Sequence, residues 1–163
     1  MSAAEQILSE VLRCLSACGL PAAEAYHPGV PLERREAVAA SIQRLQSRPA
    51  GLDSYLGRQY EAETAAWREL YGRRGEVWIA LEAYAPRASG CEALLERAHD
   101  ALTAGLAAGL RPGEMEWEAV CWDAETGMFR RRAILRCEVF LVAAAPEESG
   151  ELLDFRLKGV PES

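Results

Sequence analysis

The sequence predicts an α+β fold in two layers: an antiparallel sheet with a long hairpin, and two main helices packed on one of its faces. Three observations predict it. Apolar residues recur at helical spacing in two segments that each open on a capping pattern, Ser2–Leu15 and Ser89–Leu106. Val77–Tyr84 alternates as a strand does. Two longer alternating runs, Glu114–Cys121 and Phe129–Leu141, flank a loop containing Gly127, which is the pattern of a β-hairpin. Helices on one face of such a sheet give a two-layer α+β domain. The 163 residues fit one domain, 1–163. A chain of this size buries roughly 68–70% of its unfolded surface, enough for a core without metals or disulfides.

The first helix begins at Ser2-Ala3-Ala4-Glu5, a capping box in which Ser2 and Glu5 satisfy each other's backbone N–H groups. Ile7, Leu8, Val11, Leu12 and Leu15 make its apolar stripe. Gly19 can take the left-handed conformation that closes a helix, and Pro21 forbids continuation. Tyr26–Pro31, with two prolines and a glycine, reads as a loop or a brief edge strand, and His27 as a lone loop histidine.

Two segments are less determined. In Glu33–Ser47, Val38, Ile42 and Leu45 sit at helical spacing, while Val38, Ala40 and Ile42 alternate as in a strand; helix and strand both remain open. Leu52–Gly75 is a mostly polar excursion. Its residues 58–71 read as a short helical insertion carrying Trp67, Leu70 and Tyr71 on one side, broken by Gly72-Arg73-Arg74-Gly75. That basic tetrapeptide lacks the Walker spacing and its Lys-Ser/Thr, so it reads as a solvated turn.

In Val77–Tyr84, Val77, Ile79, Leu81 and Ala83 share one face, and Trp78, Ala80, Glu82 and Tyr84 the other. Both faces carry bulk, so both are expected to be partly covered. Pro86 ends the strand. Ser89-Gly90-Cys91-Glu92 opens the second helix, whose stripe is Leu94, Leu95, Ala98, Leu102 and Leu106. His99 lies beside that stripe.

The hairpin's register can be argued from its faces. A five-residue loop, Asp123–Gly127, places Trp122 opposite Met128, Glu118 opposite Arg132 and Glu114 opposite Arg136. Acids on one strand then answer arginines on the next, each pair contributing roughly 0.2–1 kcal/mol. Such a face reads first as solvated and salt-bridged, and second as a contact for another subunit. The same register leaves Arg131 opposite Ala119 on the apolar face. It either snorkels at the core's rim or reaches a partner. Finally, residues 151–160 read as a short amphipathic strand. Leu153, Phe155 and Leu157 are on one side, available to the chain's own sheet or to a neighbour's edge.

Composition narrows the function. Acidic side chains outnumber basic ones 25 to 18, for a net charge of −7, which argues against general nucleic-acid binding. Met1–Gln6 does not read as a secretory signal, and no apolar run approaches about 20 residues. The five cysteines (Cys14, Cys18, Cys91, Cys121, Cys137) form no CxxC pair and read as small buried apolar residues. With two histidines and no GxSxG, no nucleophilic, acid–base or metal constellation assembles, so the residues predict neither an enzyme nor a cofactor. A subunit that contacts other subunits and a stand-alone peptide- or small-molecule-binding module fit better. The residues singled out for subunit contact are Glu114, Glu118, Arg130, Arg131, Arg132, Arg136, Phe155 and Leu157.

Four features carry a family resemblance. They are the capped helix Ser2–Cys18, the strand Glu76–Pro86 ending in Tyr84-Ala85-Pro86, the hairpin on Trp122–Arg131, and the terminal Leu153–Val160. Together they resemble the tail terminators and related minor tail proteins of tailed phages, prophages and phage-derived particles. The resemblance covers most of the chain. It implies an α+β subunit of a homo-oligomeric ring, commonly hexameric, that caps the tail tube and joins it to the connector. It also implies residence in a particle tail, with assembly in the bacterial host's cytoplasm, and no catalytic residues. Residues 61–71 look like an insertion relative to a minimal terminator. An acidic balance would suit a lumen through which DNA slides without sticking.

Overall fold

In a computed structural model, which describes residues 2–24, 35–49, 55–143 and 155–157, the chain forms the predicted α+β fold. Its elements are α1 (Ala3–Ala17), β1 (Ala22–Glu24), β2 (Ala37–Pro49), β3 (Tyr55–Glu61), β4 (Ala66–Ala85), α2 (Ala88–Gly105), β5 (Leu110–Trp117), β6 (Cys121–Asp123), β7 (Met128–Ala143) and β8 (Phe155–Leu157). The sheet runs β1-β2-β4-β7-β5, with β3 extending β4, and with β6 and β8 on β7. It is mixed rather than wholly antiparallel, because β1 lies parallel along β2.

Both ends of α1 form as their residues require. Ser2 Oγ accepts from the Glu5 N–H (3.2 Å), and a Glu5 carboxylate oxygen accepts from the Ser2 N–H (2.6 Å). Gly19 takes φ +74°. Its N–H donates to Ser16 O (3.0 Å), and the Leu20 N–H donates to Leu15 O (3.1 Å). This is the Schellman pair, and its hydrophobic partners Leu15 and Leu20 are both buried. The turn delivers the chain to β2, where the Val38 N–H donates to Pro21 O (2.9 Å). Glu10 then ties the two helices together. It accepts from the Arg13 guanidinium (2.6 Å) and from the Ala107 N–H just beyond α2 (2.8 Å).

The α2 cap differs from expectation. Arg87 stands at the N-cap with no side-chain hydrogen bond, and Ser89 lies inside the first turn, so there is no capping box. The helix starts as soon as Pro86-Arg87 turn the chain, and its first turn sits so close over β4 that a Cβ on Gly90 would meet the Ala85 side chain.

Strand β4 is the spine. It pairs with β7 from Gly72↔Val142 to Ala85↔Phe129 without a bulge. Its odd-numbered face (Val77, Ile79, Leu81, Ala83) joins Val38 and Ala40 of β2 and Ala133, Leu135, Cys137 and Val139 of β7. These pack under Ile7, Val11 and Leu15 of α1 and Leu94, Leu95, Ala98 and Leu102 of α2. Fully burying one such side chain contributes roughly 1.5–3 kcal/mol, so this cluster is the main store of stability. The even-numbered face points away from the helices.

The segment left open between helix and strand is β2. A bulge between Ile42 and Arg44 adds one residue, so Ile42 pairs with Ile79 and Leu45 with Val77, both toward the core. That extra residue produced the helix-like spacing of Val38, Ile42 and Leu45.

Residues 58–71 are not helical. Strand β3 pairs with the start of β4 as a hairpin, Tyr60 opposite Trp67 and Tyr55 opposite Tyr71. Trp67, Leu70 and Tyr71 do not share a side: Leu70 is buried beside Phe140 and Val142, while Trp67 and Tyr71 face solvent. Gly72 and Gly75 do not break the chain either. They lie inside β4, where a Cβ on Gly72 would fall on Leu141 O and one on Gly75 on Gln46 O. Glycine in a strand commonly marks such a close backbone approach.

The β5–β7 hairpin keeps the predicted register in part. Glu116 pairs with Ile134 and Trp117 with Ala133, and the Glu118 N–H donates to Arg132 O (2.8 Å). Residues 118–120 then leave the strand, and β6 resumes one residue out of step, with Trp122 opposite Phe129 and Asp123 opposite Met128. The turn is therefore 124–127. Asp123 accepts from Thr126 Oγ1 (2.9 Å) and from the Glu125 and Gly127 N–H groups, with Gly127 at φ +66°. At the other end, a bulge between Pro112 and Met115 displaces Glu114 from Arg136. Strand β8 pairs with the chain's own β7, Leu157 opposite Leu141 and Phe155 opposite Ala143. The rest of the predicted 151–160 strand, and Tyr26–Pro31 with His27, lie outside the described residues.

Gly72→Ala and Gly75→Ala each lose about 1–3 kcal/mol in urea unfolding, as overpacking does; a neutral result would refute the close approach. Arg13, and then the Ala107 N–H, hold the Glu10 carboxyl below its ordinary value of 4.5. A depressed carboxylate contributes stability above its unfolded pKa, lost as pH falls through the folded value. Wild type should therefore exceed Glu10→Gln in stability at pH 7, with the gap closing below about pH 4.5.

Candidate functional site

The even-numbered face of β4 and its neighbours lies on the side away from the helices, and its charges fall in rows across the strands. Arg44, Trp78 and Arg136 form one row, with both guanidiniums stacked on the Trp78 ring at 4.9 and 5.2 Å. Gln46, Glu76, Glu138 and Arg111 form the next. Arg48, Arg74 and Phe140 form a third, where Arg74 and Arg111 both cover the Phe140 ring. Ion pairs run diagonally between rows: Arg136 with Glu76 (2.9 Å), and Arg74 with Glu138. At the far end Arg132 lies between Glu82 and Glu118, 3.9 Å from the Glu118 carboxylate. The Tyr84 hydroxyl donates to Glu82 (3.0 Å). Burial first, then that carboxylate, pushes the phenol up to about 12.

The residues singled out in sequence are scattered across this surface. Glu118 and Arg132 meet as expected. Arg136 turns to Glu76 on β4 instead of to Glu114, because the bulge at 113–114 breaks the expected row. Glu114 is exposed and lines a shallow depression of about 460 Å³ with Arg48, Glu76, Arg111, Arg136 and Glu138. Arg130 is half-buried beside Tyr84. Arg131 follows the snorkelling alternative. Its Nε donates to Glu118 O (2.9 Å), and its guanidinium lies 5.0 Å over Trp117 and 3.9 Å from Glu92 at the start of α2. It joins the second helix to the sheet. Phe155 and Leu157 stand in β8, paired within the chain.

Three cysteines, Cys14, Cys91 and Cys137, are buried as expected; Cys18 and Cys121 are exposed instead. Burial raises the pKa of the first three, Cys137 to about 12, so all three are protonated at neutral pH.

Sequence reasoning missed the β3–β4 arm. Among the described residues, the exposed large apolar side chains are Tyr55, Tyr60, Trp67 and Tyr71 on this arm, and Val120 just before and Trp122 within β6. The arm's rings form edge-to-face pairs across the strands, Tyr60–Trp67 at 5.5 Å and Tyr55–Tyr71 at 5.7 Å. Arg58 lies 5.1 Å over Trp67. The available signal was the alternation Trp67, Glu69, Tyr71, together with aromatic residues that favour strands.

The open face is electrically balanced and pairs with itself, so its ion pairs contribute little to stability. A Glu76→Gln/Arg136→Gln double-mutant cycle should give a coupling of about 0.2–1 kcal/mol in urea, reduced by 1 M salt. A coupling above about 2 kcal/mol would instead make this face a structural clamp. No protein-family model and no curated protein matches the chain.

Proposed function

We propose that the chain is a structural subunit of a phage or phage-like tail, a tail terminator or tail-completion protein that assembles into a ring at the end of the tail tube. One observation carries this reading. The core is closed within the chain and the charged face carries its own ion pairs, Arg136–Glu76 and Arg74–Glu138, while the exposed aromatic area is concentrated at the ends of the sheet, on the β3–β4 arm and at β6. Exposed aromatic patches mark interaction sites. The helix, Tyr84-Ala85-Pro86 strand end and hairpin that resemble terminators supply the tail context. In this role the chain acts without cofactor or catalysis, contacts tube and connector proteins, and makes no sequence-specific nucleic-acid contact. It works in the particle tail after assembly in the host cytoplasm. No helix among the described residues is long and apolar enough to cross a membrane.

A second reading, a stand-alone peptide- or small-molecule-binding module, draws on the depression lined by Arg48, Arg111 and Arg136. Sedimentation of the purified 17.8 kDa chain separates the two. The tail reading predicts a discrete closed oligomer, seen as rings by negative-stain microscopy. A monomer at every concentration, stabilised by a peptide library member, would favour the module.

A further inference from the structure

The two exposed aromatic patches sit at opposite ends of one ribbon. Trp67 stands near the start of β4, and Trp122 pairs with Phe129, which pairs with Ala85 at the end of β4. Between them lies roughly 60 Å of strand, at about 3.3 Å per residue. Two different patches that far apart cannot meet by folding back within one chain. Each also presents one charged side chain that could meet the other, although the arm as a whole carries Glu61, Glu63 and Glu69 against Arg58 and Arg68. On the arm, Arg58 lies over Trp67, and its cross-strand neighbour Glu69 accepts instead from the Tyr71 hydroxyl (2.7 Å). At the other end, the exposed Glu125 lies in the 124–127 turn that follows Trp122, whose ring is packed edge-on against Phe129 at 5.1 Å.

We infer that copies of this chain join head to tail, the aromatic face of one arm seated on the Val120/Trp122 end of the next copy, with Arg58 facing Glu125. Rings of opposite edges and faces can interlock there, and the cation meets a carboxylate beside apolar surface. A contact between two unlike patches is heterologous: it closes into a ring or continues as a filament, whereas a symmetric dimer would use one patch twice. The inference rests on the assembling-subunit reading above and adds its surfaces and polarity.

The test uses full-length Trp67→Ser and Trp122→Ser chains in sedimentation, with circular dichroism confirming that both fold. Each variant alone should assemble at least tenfold more weakly than wild type. Mixed one to one, they retain one good arm and one good far end, so they should form a complex with a single copy of each. Arg58→Glu and Glu125→Arg should each weaken assembly as well, and both changes in one chain should restore it. Wild-type assembly that survives these substitutions, or a mixture no more associated than its parts, overturns the inference and leaves the ring reading standing. A wild-type chain that stays monomeric overturns both.

Discussion

The pairing of β4 with β7 constrains everything else in the molecule. Because side chains alternate on a strand, one uninterrupted register fixes which residues face the helices and which face away. Slipping it by one residue would put Trp78, Glu82, Arg132 and Arg136 under α1 and α2, and expose Val77, Ile79, Leu81 and Leu135. The glycines at 72 and 75 let the neighbouring backbones of β7 and β2 approach the spine closely at these two points. The irregularities are placed on the neighbours. The bulge in β2 and those beside β5 and β6 adjust register around the spine without disturbing it.

This division of labour separates stability from contact. Stability lies in the apolar cluster between helices and sheet and in local devices such as the α1 caps, Glu10 and Arg131. The face away from the helices is a mosaic of opposite charges stacked on Trp78 and Phe140. It keeps that side hydrated and gives the sheet little that is sticky. The exposed surface that the proposed assembly would use is aromatic and terminal: a two-stranded arm beyond the last β7 pairing, and the β6 end. The net charge of −7 is therefore not carried by the sheet face, where arginines and glutamates largely cancel.

Much of the fold was legible in the sequence, and the failures share a cause. The first helix, the alternating strands and the Glu118–Arg132 row follow from capping chemistry and from a clean period of two. Where a bulge inserted a residue, the period was corrupted: β2 mimicked a helix, and Glu114 lost Arg136. In the arm, Trp67, Leu70 and Tyr71 carry helical spacing by coincidence, and only pairing with β3 shows that they point to opposite sides. Gly72 and Gly75 looked like breaks because sequence alone does not show the carbonyls that a side chain would strike. Arg131 was singled out as a candidate for subunit contact; within the chain it lies over Trp117, its neighbour in the hairpin register, and near Glu92 of α2, which no local pattern brings to it.

Hydrogen exchange followed by mass spectrometry, repeated over a range of protein concentrations, separates the spine of β4 from its arm. Strand β4 is a buried spine from residue 72 onward and, before it, the arm on which we propose that copies meet. At low concentration, amides in 72–85 should exchange slowly and those in 55–71 quickly. As concentration rises, protection should grow in 55–71 and near 120–125, with 72–85 unchanged. Exchange in the arm that stays fast at every concentration, while protection appears elsewhere on the sheet, would contradict the account.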